Sequence, residues 1–394
     1  MFKKIVLFFL FWRFFLFIPL FIAQAFVEFR QGYAYTSPLY FLSDKHSLIS
    51  NFFLSPWANF DGVYYLLIAA NGYTVNAGFF PLFPLFLHLT TSIFAPASAE
   101  LPFHPIQYFT ALLLVGLYFL IALIIIYKLL RIDYKDSVAL STIVFMLLFP
   151  TSFFFASIYS ESLFLLLSVL AFYFARKKRW ILASLCGGLL TATRLVGIAI
   201  IPALIYEFIK QDHSSLKLLG ARRTLFKAKS LFLLFTPLGI LGYMLFNFLK
   251  WGDIFYFIQA QGSFLNNRSV ATLILIPQTI YRYIKILTSV SLSHYEWWIA
   301  LLEISTFMFV AFMLFVAWKK RLRLSYIIFA IICFFIPISS GTFTGLPRYS
   351  LVLFPIFIAL ALVKSKTIKT VYSIVGIILL FILFLLFSKG YYIA

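Results

Sequence analysis

Residues 106–135 read IQYFTALLLVGLYFLIALIIIYKLLRIDYK. From Ile106 to Ile126 no side chain carries a formal charge, and Lys128, Arg131 and Lys135 then follow in quick succession. An unbroken apolar run of this length matches the ~20 residues a helix needs to cross the hydrocarbon core of a bilayer. The basic residues after it mark the flank retained on the cytoplasmic side. Working outward, the pattern recurs along the whole chain of 394 residues, with 63% hydrophobic residues, 11% charged residues and a mean hydropathy of +1.01. A soluble domain runs near ~45–50% apolar and ~25% charged, so a soluble enzyme is excluded, and intrinsic disorder is excluded by the same numbers. The runs are continuous rather than alternating, which excludes a transmembrane β-barrel. Cys186 and Cys333 both lie in apolar runs and make neither a metal pattern nor a disulfide frame.

The net charge of +20 raises the possibility of nucleic acid, but its distribution points elsewhere. The basic residues cluster between apolar runs: Lys3-Lys4, Arg176 to Arg179, Arg222-Arg223 with Lys227 and Lys229, Lys319 to Arg323, and Lys364 to Lys369. Placing Lys3-Lys4 inside fixes the rest. The run from Ile5 to Val27 is read as an uncleaved first span, in preference to a signal peptide cut near Ala23 and Ala25, because it exceeds the usual ~7–15 residue apolar region. A first outer loop then occupies 28–105, with Phe79 to Phe94 expected as a helix at the membrane surface. Core helices fill 106–250, a second outer loop 251–294 carries an amphipathic helix between Ser269 and Leu287, and C-terminal helices fill 295–394. The expectation is one transmembrane domain of about eleven spans, all-α and polytopic. Spans 3, 5 and 6 are short, and the last two meet near Arg194. With this threading 22 of the 32 basic residues fall inside and nine outside, with Arg13 in the first span, so a single assumption gathers every dense cluster on one side. Chemistry is expected on the other side, where the loops are large.

Only twelve carboxylates are present, so elimination is informative. Asp133, Asp136, Glu207 and Asp212 lie beside basic residues at inner loops and read as charge-balanced surface groups. Outside stand Glu28, Asp44, Asp61, Glu100, Glu161, Asp253 and Glu296, while Glu303 lies within a span. Asp61 sits among aromatics in Pro56-Trp57-Ala58-Asn59-Phe60-Asp61-Gly62-Val63-Tyr64-Tyr65. A carboxylate there is costly unless used or paired, and it reads equally as a reacting group or as the N-cap of the helix that follows. Glu161, in Tyr159-Ser160-Glu161-Ser162, is either a functional acid or a first-turn acid favoured by the helix dipole. Arg194 and Arg348 read as anion ligands or as ion partners across helices. His88 reads first as a surface or packing histidine, and solvation in the loop is the plain reading of Asp253 and Gln261. The chain contains no GxxxxGK[ST], no HExxH and no metal-binding Cys/His spacing. The inner loops are too short for a nucleotide-sugar-binding domain, which points to a lipid-linked substrate.

Taken together, Phe60-Asp61-Gly62-Val63-Tyr64-Tyr65, Ile68-Ala69-Ala70-Asn71-Gly72-Tyr73 and Phe79-Phe80-Pro81-Leu82-Phe83-Pro84-Leu85 resemble the first-loop signature of PIG-V-like mannosyltransferases. Phe149 to Phe154 with Tyr159 to Phe164, Thr193-Arg194-Leu195-Val196-Gly197, and Pro347-Arg348-Tyr349 before Phe354-Pro355 follow in order, so the likeness covers about 60 to 360. The resemblance implies a GT-C-type fold and an extracytoplasmic active site, in the cytoplasmic membrane of a prokaryote or the endoplasmic reticulum of a eukaryote. It implies transfer of a hexose, mannose first, from a polyprenyl-phosphate donor to a lipid-linked or cell-surface glycan, and a single displacement there would invert the anomeric centre. By position it puts the catalytic base on Asp61; the chemistry of a departing phosphate then makes Arg348 or Arg194 the candidate to hold it, both being expected as donor-phosphate ligands. Glu161, Tyr64, Tyr65, Tyr73, Gln261 and His88 are the candidates for the acceptor or the sugar, and Trp57 and Trp297 for stacking. A divalent metal shared by Asp61 and Glu161 is left open. The chain departs from the family pattern at Tyr64, Asn76 and Phe264, which leaves acceptor and sugar open. The expected partners are donor, acceptor and membrane lipids, with no nucleic acid. The rival reading is a polytopic transporter or lipid flippase, which would show paired repeats and charges at the midplane; no paired repeat is visible.

Overall fold

The computed structural model describes residues 1–33, 37–38, 53–74, 77–95, 102–216, 230–262 and 274–393. Asp44, Asn76, Glu100, Phe264 and the basic cluster Arg222 to Lys229 lie outside the described residues, as does the start of the helix expected from Ser269. The described residues form helices and no strands. The chain opens with α1 (Phe2–Phe15) and α2 (Phe17–Phe26), which together make one apolar rod of 25 residues. The rod breaks at Leu16 because Pro19 has no N–H to offer the carbonyl one turn back. Next come α3 (Asp61–Asn71) and α4 (Leu82–Phe94), the latter where a surface helix was expected. The core follows as α5 (Pro105–Leu130), α6 (Asp136–Leu147), α7 (Glu161–Arg176), α8 (Trp180–Thr191), α9 (Ile200–Leu216) and α10 (Leu238–Trp251). After α11 (Tyr256–Gly262) and the amphipathic α12 (Ile276–Ser289), the chain ends in α13 (Tyr295–Lys319), α14 (Leu324–Ile338), the short α15 (Leu346–Tyr349), α16 (Phe354–Leu362) and α17 (Lys366–Ser388).

Among the described residues five helical segments are long and apolar enough to cross a membrane, 2–26, 105–130, 232–251, 295–319 and 366–388, against the eleven spans expected. The others are shorter. At 1.5 Å per residue the 12 residues of α6 and of α8 reach only ~18 Å. Each is continued by irregular chain with a 3-10 turn, Ser152–Phe155 after α6 and Leu195–Ala199 after α8. Non-helical backbone is tolerated at such depth only where protein covers it. Residues 151–162 accordingly are all buried, and they pack against α5, which lies along α7. His104 caps α5 by accepting from Ile106 N at 3.2 Å, and Ser365 caps α17 by accepting from Ile368 N at 3.3 Å.

The two ends of this bundle differ in chemistry, and α7 measures the distance between them: Glu161 opens it and Arg176 ends it, ~22 Å apart along a straight helix. At the Arg176 end, Arg176 pairs with Asp133 and stands 3.8 Å from Glu207, which takes Arg323 through both carboxylate oxygens at 2.7 and 2.5 Å. Lys128 lies over the Phe2 ring, bringing the N-terminus to the same end. The N-terminus and the basic loops around Arg131, Arg176 and Arg323 therefore meet at one end. One expectation is corrected there: Glu207 is fully buried, not a surface acid, because Ser325 (2.7 Å), Gln211 and Arg323 enclose it. Asp133 and Asp136 are the partly exposed, paired groups expected.

Candidate active site

At the opposite end the chain builds a second polar network from four segments far apart in sequence. The first is the approach to α3. Ile158 N donates to Trp57 O (2.8 Å), Tyr159 Oη donates to Asn59 O (2.7 Å), and the Asn59 amide donates to Phe387 O (2.8 Å). Phe60 then takes φ 57°, a left-handed conformation costly for a bulky side chain. That turn lets α3 start at Asp61, which is thus the first helical residue rather than the N-cap read from sequence. Gly62 packs closely beside it: a Cβ there would stand 3.3 Å from Ala58 Cβ and 3.4 Å from Ile158 O. The other segments are the start of α7, the junction of α8 with the turn after it, and α15.

These segments bring together Asp61, Glu161, Arg194 and Arg348. Arg348 Nη1 donates to Asp61 Oδ2 at 2.5 Å, and its Nε lies 3.4 Å from Glu161 Oε1. Arg194 Nη1 donates to the same Glu161 oxygen at 2.5 Å. Two acids and two arginines balance in charge, as buried ions must. The environments are unequal: the Asp61 side chain is 27% exposed, Glu161 1%. Glu161 Oε2 is buried without a hydrogen-bond partner. Of the alternatives open for the two arginines, ion pairing across helices is what the resting geometry displays, and Glu161 is more than a first-turn acid.

Aromatic rings and buried hydroxyls hold the network. Arg348 lies 5.3 Å from the Tyr159 ring centre and Arg194 4.8 Å from that of Tyr349. Thr151 Oγ1 donates to Pro347 O (2.7 Å), which fixes the turn carrying Arg348. Gly345, at φ 80°, opens that turn, and Phe343 N donates to Tyr283 Oη (2.9 Å). Tyr65 shares a 2.9 Å hydrogen bond with Ser160, the residue before Glu161. Tyr64 stacks on Phe79, and burial, with Asp61 nearby, raises its phenol above the ordinary value, so it stays a donor at neutral pH.

The remaining candidates have contacts of another kind. Tyr73 donates to Phe79 O and packs with Tyr243, Phe246 and Trp251 in a satellite cluster, where Gln261 donates to Gly78 O. His88 Nδ1 donates to Ala69 O (2.7 Å) and ties α4 to α3. Trp57 is buried under the Arg13 guanidinium, and Trp297 donates to Leu287 O. Asp253 caps its own turn through Phe255 N. Between Asp61 and Glu161 the place a shared metal would take holds the Arg348 guanidinium, and no group of three His, Cys, Asp or Glu gathers among the described residues. Thr151, Tyr159 and Ser160 were given no role in the sequence, although the stretches containing them stood out. Nothing local to a threonine or a tyrosine announces a partner nearly 200 or 100 residues away.

A family model described as mannosyltransferase (PIG-V) matches residues 2–334, most of the chain. No curated protein matches, and no solved structure does. The chain belongs to this family of mannosyl-transferring membrane glycosyltransferases, which act between a sugar donor and a glycan acceptor. The matched span contains Asp61, Glu161 and Arg194 and stops short of Arg348.

Proposed function

We propose that this mannosyltransferase-family chain transfers mannose, with inversion, from a polyprenyl-phosphate donor to a hydroxyl of a lipid-linked or cell-surface glycan, on the extracytoplasmic side, with Asp61 as general base. One observation carries the reading: Asp61 is the accessible acid of an otherwise buried, charge-balanced cluster, and its partner is an arginine. A base must be reachable by the acceptor proton, and Glu161, enclosed by two guanidiniums, is not.

The chemistry conserves charge within the site. The acceptor oxygen attacks the anomeric carbon as the bond from that carbon to the phosphate oxygen breaks. The acceptor proton passes to Asp61, which becomes neutral, while the departing polyprenyl phosphate gains one negative charge. Negative charge thus moves from Asp61 to the phosphate, and Arg348, paired with Asp61 in the resting state, is placed to follow it. A donor phosphate competing for Arg348 releases Asp61 Oδ2 for the proton. Arg194, anchored on Glu161 and the Tyr349 ring, adds a second guanidinium against the growing charge. Tyr64, on the helix that Asp61 opens, is placed to donate to a sugar or acceptor oxygen. The test is transfer from labelled polyprenyl-phosphate-mannose in membranes carrying the protein, with analysis of the product anomer. Labelled product of inverted configuration is expected, and a retained configuration would overturn the single displacement.

A further inference from the structure

A cavity of about 190 Å³ lies between α13 and α17, away from the acid-and-arginine cluster but joined to it through one residue. Phe149, Pro150 and Pro347 form its floor, Ser305 and Phe309 of α13 one wall, and Val375 of α17 the other. Its lining is almost wholly apolar, and Ser305 and Val375 are exposed, so the cavity opens as a groove on the flank of the bundle. Gly376 keeps it in place: a side chain there would collide with the Leu148 carbonyl, so α17 rests on the end of α6 and leaves Pro150 uncovered. Ser305 lies ten residues into α13, ~15 Å along the helix from its start at Tyr295, well below a headgroup plane at that end.

Pro347 faces this groove while the next residue, Arg348, faces Asp61 and Glu161. Thr151 holds the Pro347 carbonyl, and its neighbour Pro150 lines the same floor, so groove and guanidinium are set relative to each other by two adjacent turns of rigid chain. The matching ligand has a phosphate at one end and a single apolar chain that descends into the membrane beside it. A phospholipid would hold its phosphate at the headgroup plane rather than at Arg348, and would bring a second chain. We propose that this groove holds the first isoprene units of the donor's polyprenyl chain when its phosphate is at Arg348. The inference rests on the polyprenyl-phosphate reading above and deepens it by naming where the lipid lies.

Photolabelling tests it without turnover. A polyprenyl phosphate with a diazirine in its first isoprene units is irradiated with the full-length protein in phosphatidylcholine nanodiscs. The expected label falls on peptides containing Ser305 and Val375 and is displaced by unlabelled polyprenyl phosphate but not by added phosphatidylcholine. Label elsewhere, or equal displacement by phosphatidylcholine, would mean that the groove is an ordinary lipid fissure and would overturn the proposal. In a second measurement, Ser305→Trp fills the groove. The ratio of kcat/KM for a long-chain over a short-chain donor should fall about tenfold, the scale of a few buried methylenes, while Met308→Trp, on the exposed side of the same helix, leaves the ratio in place. An unchanged ratio in Ser305→Trp would also overturn the groove. Transfer by the wild type with the label misplaced sinks the groove alone; no transfer from any polyprenyl-phosphate sugar, with the label misplaced, sinks the donor reading with it.

Discussion

Glu161 and Asp61 share Arg348, yet burial separates their roles. Glu161 is 1% exposed and neutralises two guanidiniums, so its removal leaves buried positive charge uncompensated. Breaking such a pair costs roughly 3–5 kcal/mol. Glu161→Gln is therefore expected to lower the thermal midpoint in detergent and the amount of protein in the membrane, whereas Asp61→Asn, at a partly open position, should change either only slightly. Equal loss of stability in the two variants would contradict this division. Arg348→Lys keeps the charge but loses the planar fork that reaches Asp61 and Glu161 at once. It should reduce transfer on the order of tenfold or more in kcat/KM, and wild-type kinetics in this variant would remove Arg348 from the donor phosphate. All four residues stood out in the sequence because charged groups are scarce and costly in so apolar a chain. Their pairings did not, since Asp61 and Arg348 are 287 residues apart and Glu161 and Arg194 are 33 apart.

At the scale of elements, the start of α3 sets the position of Asp61. Phe60 in a left-handed conformation and Gly62, where a Cβ would stand 3.3 Å from Ala58 Cβ, flank the acid closely. Gly62→Val adds two further methyl groups where even a Cβ is tight. Overpacking of this kind costs typically ~1–3 kcal/mol, and the displaced helix start should lower transfer more than stability. Thermal unfolding and transfer assays on one preparation check this, and unaltered activity would show that the helix start is less tightly set than Gly62 implies. The long apolar helices were plain in the sequence, as α5 shows, because one unbroken run suffices to define it. The short ones were harder to delimit. The ends of α6 and α8 run into buried irregular chain such as 151–160, whose turns close locally but whose Ile158 N finds the Trp57 carbonyl only after the bundle has assembled. Asp61 as an N-cap failed for a similar reason: the cap position went to Phe60, held by Asn59 and Tyr159 rather than by local propensity.

The whole molecule is a bundle with two unlike ends. The Asp133–Arg176–Glu207–Arg323 network gathers basic loops at one end, and the Asp61–Arg348–Glu161–Arg194 network stands at the other. The charge bias of the loops foretold this separation, while the burial of Glu207 within the first network was beyond it, because burial is a property of the assembled helices. With the basic end in the cytoplasm, Lys320→Cys and Ser293→Cys should report opposite sides in a background lacking Cys186 and Cys333. A membrane-impermeant maleimide should label Ser293→Cys in intact cells and Lys320→Cys only after permeabilisation. The reverse pattern would place Asp61 on the cytoplasmic side and contradict an extracytoplasmic acceptor.

The most direct measurement compares mannose transfer from labelled polyprenyl-phosphate-mannose by the wild type and by Asp61→Asn, at matched amounts of folded protein in the same membranes. A general base contributes typically ~10²–10⁴-fold, so the account predicts labelled glycan with the wild type and a loss of at least about a hundredfold in the variant. Transfer by Asp61→Asn at the wild-type rate would contradict it and take the proton-accepting role away from this site.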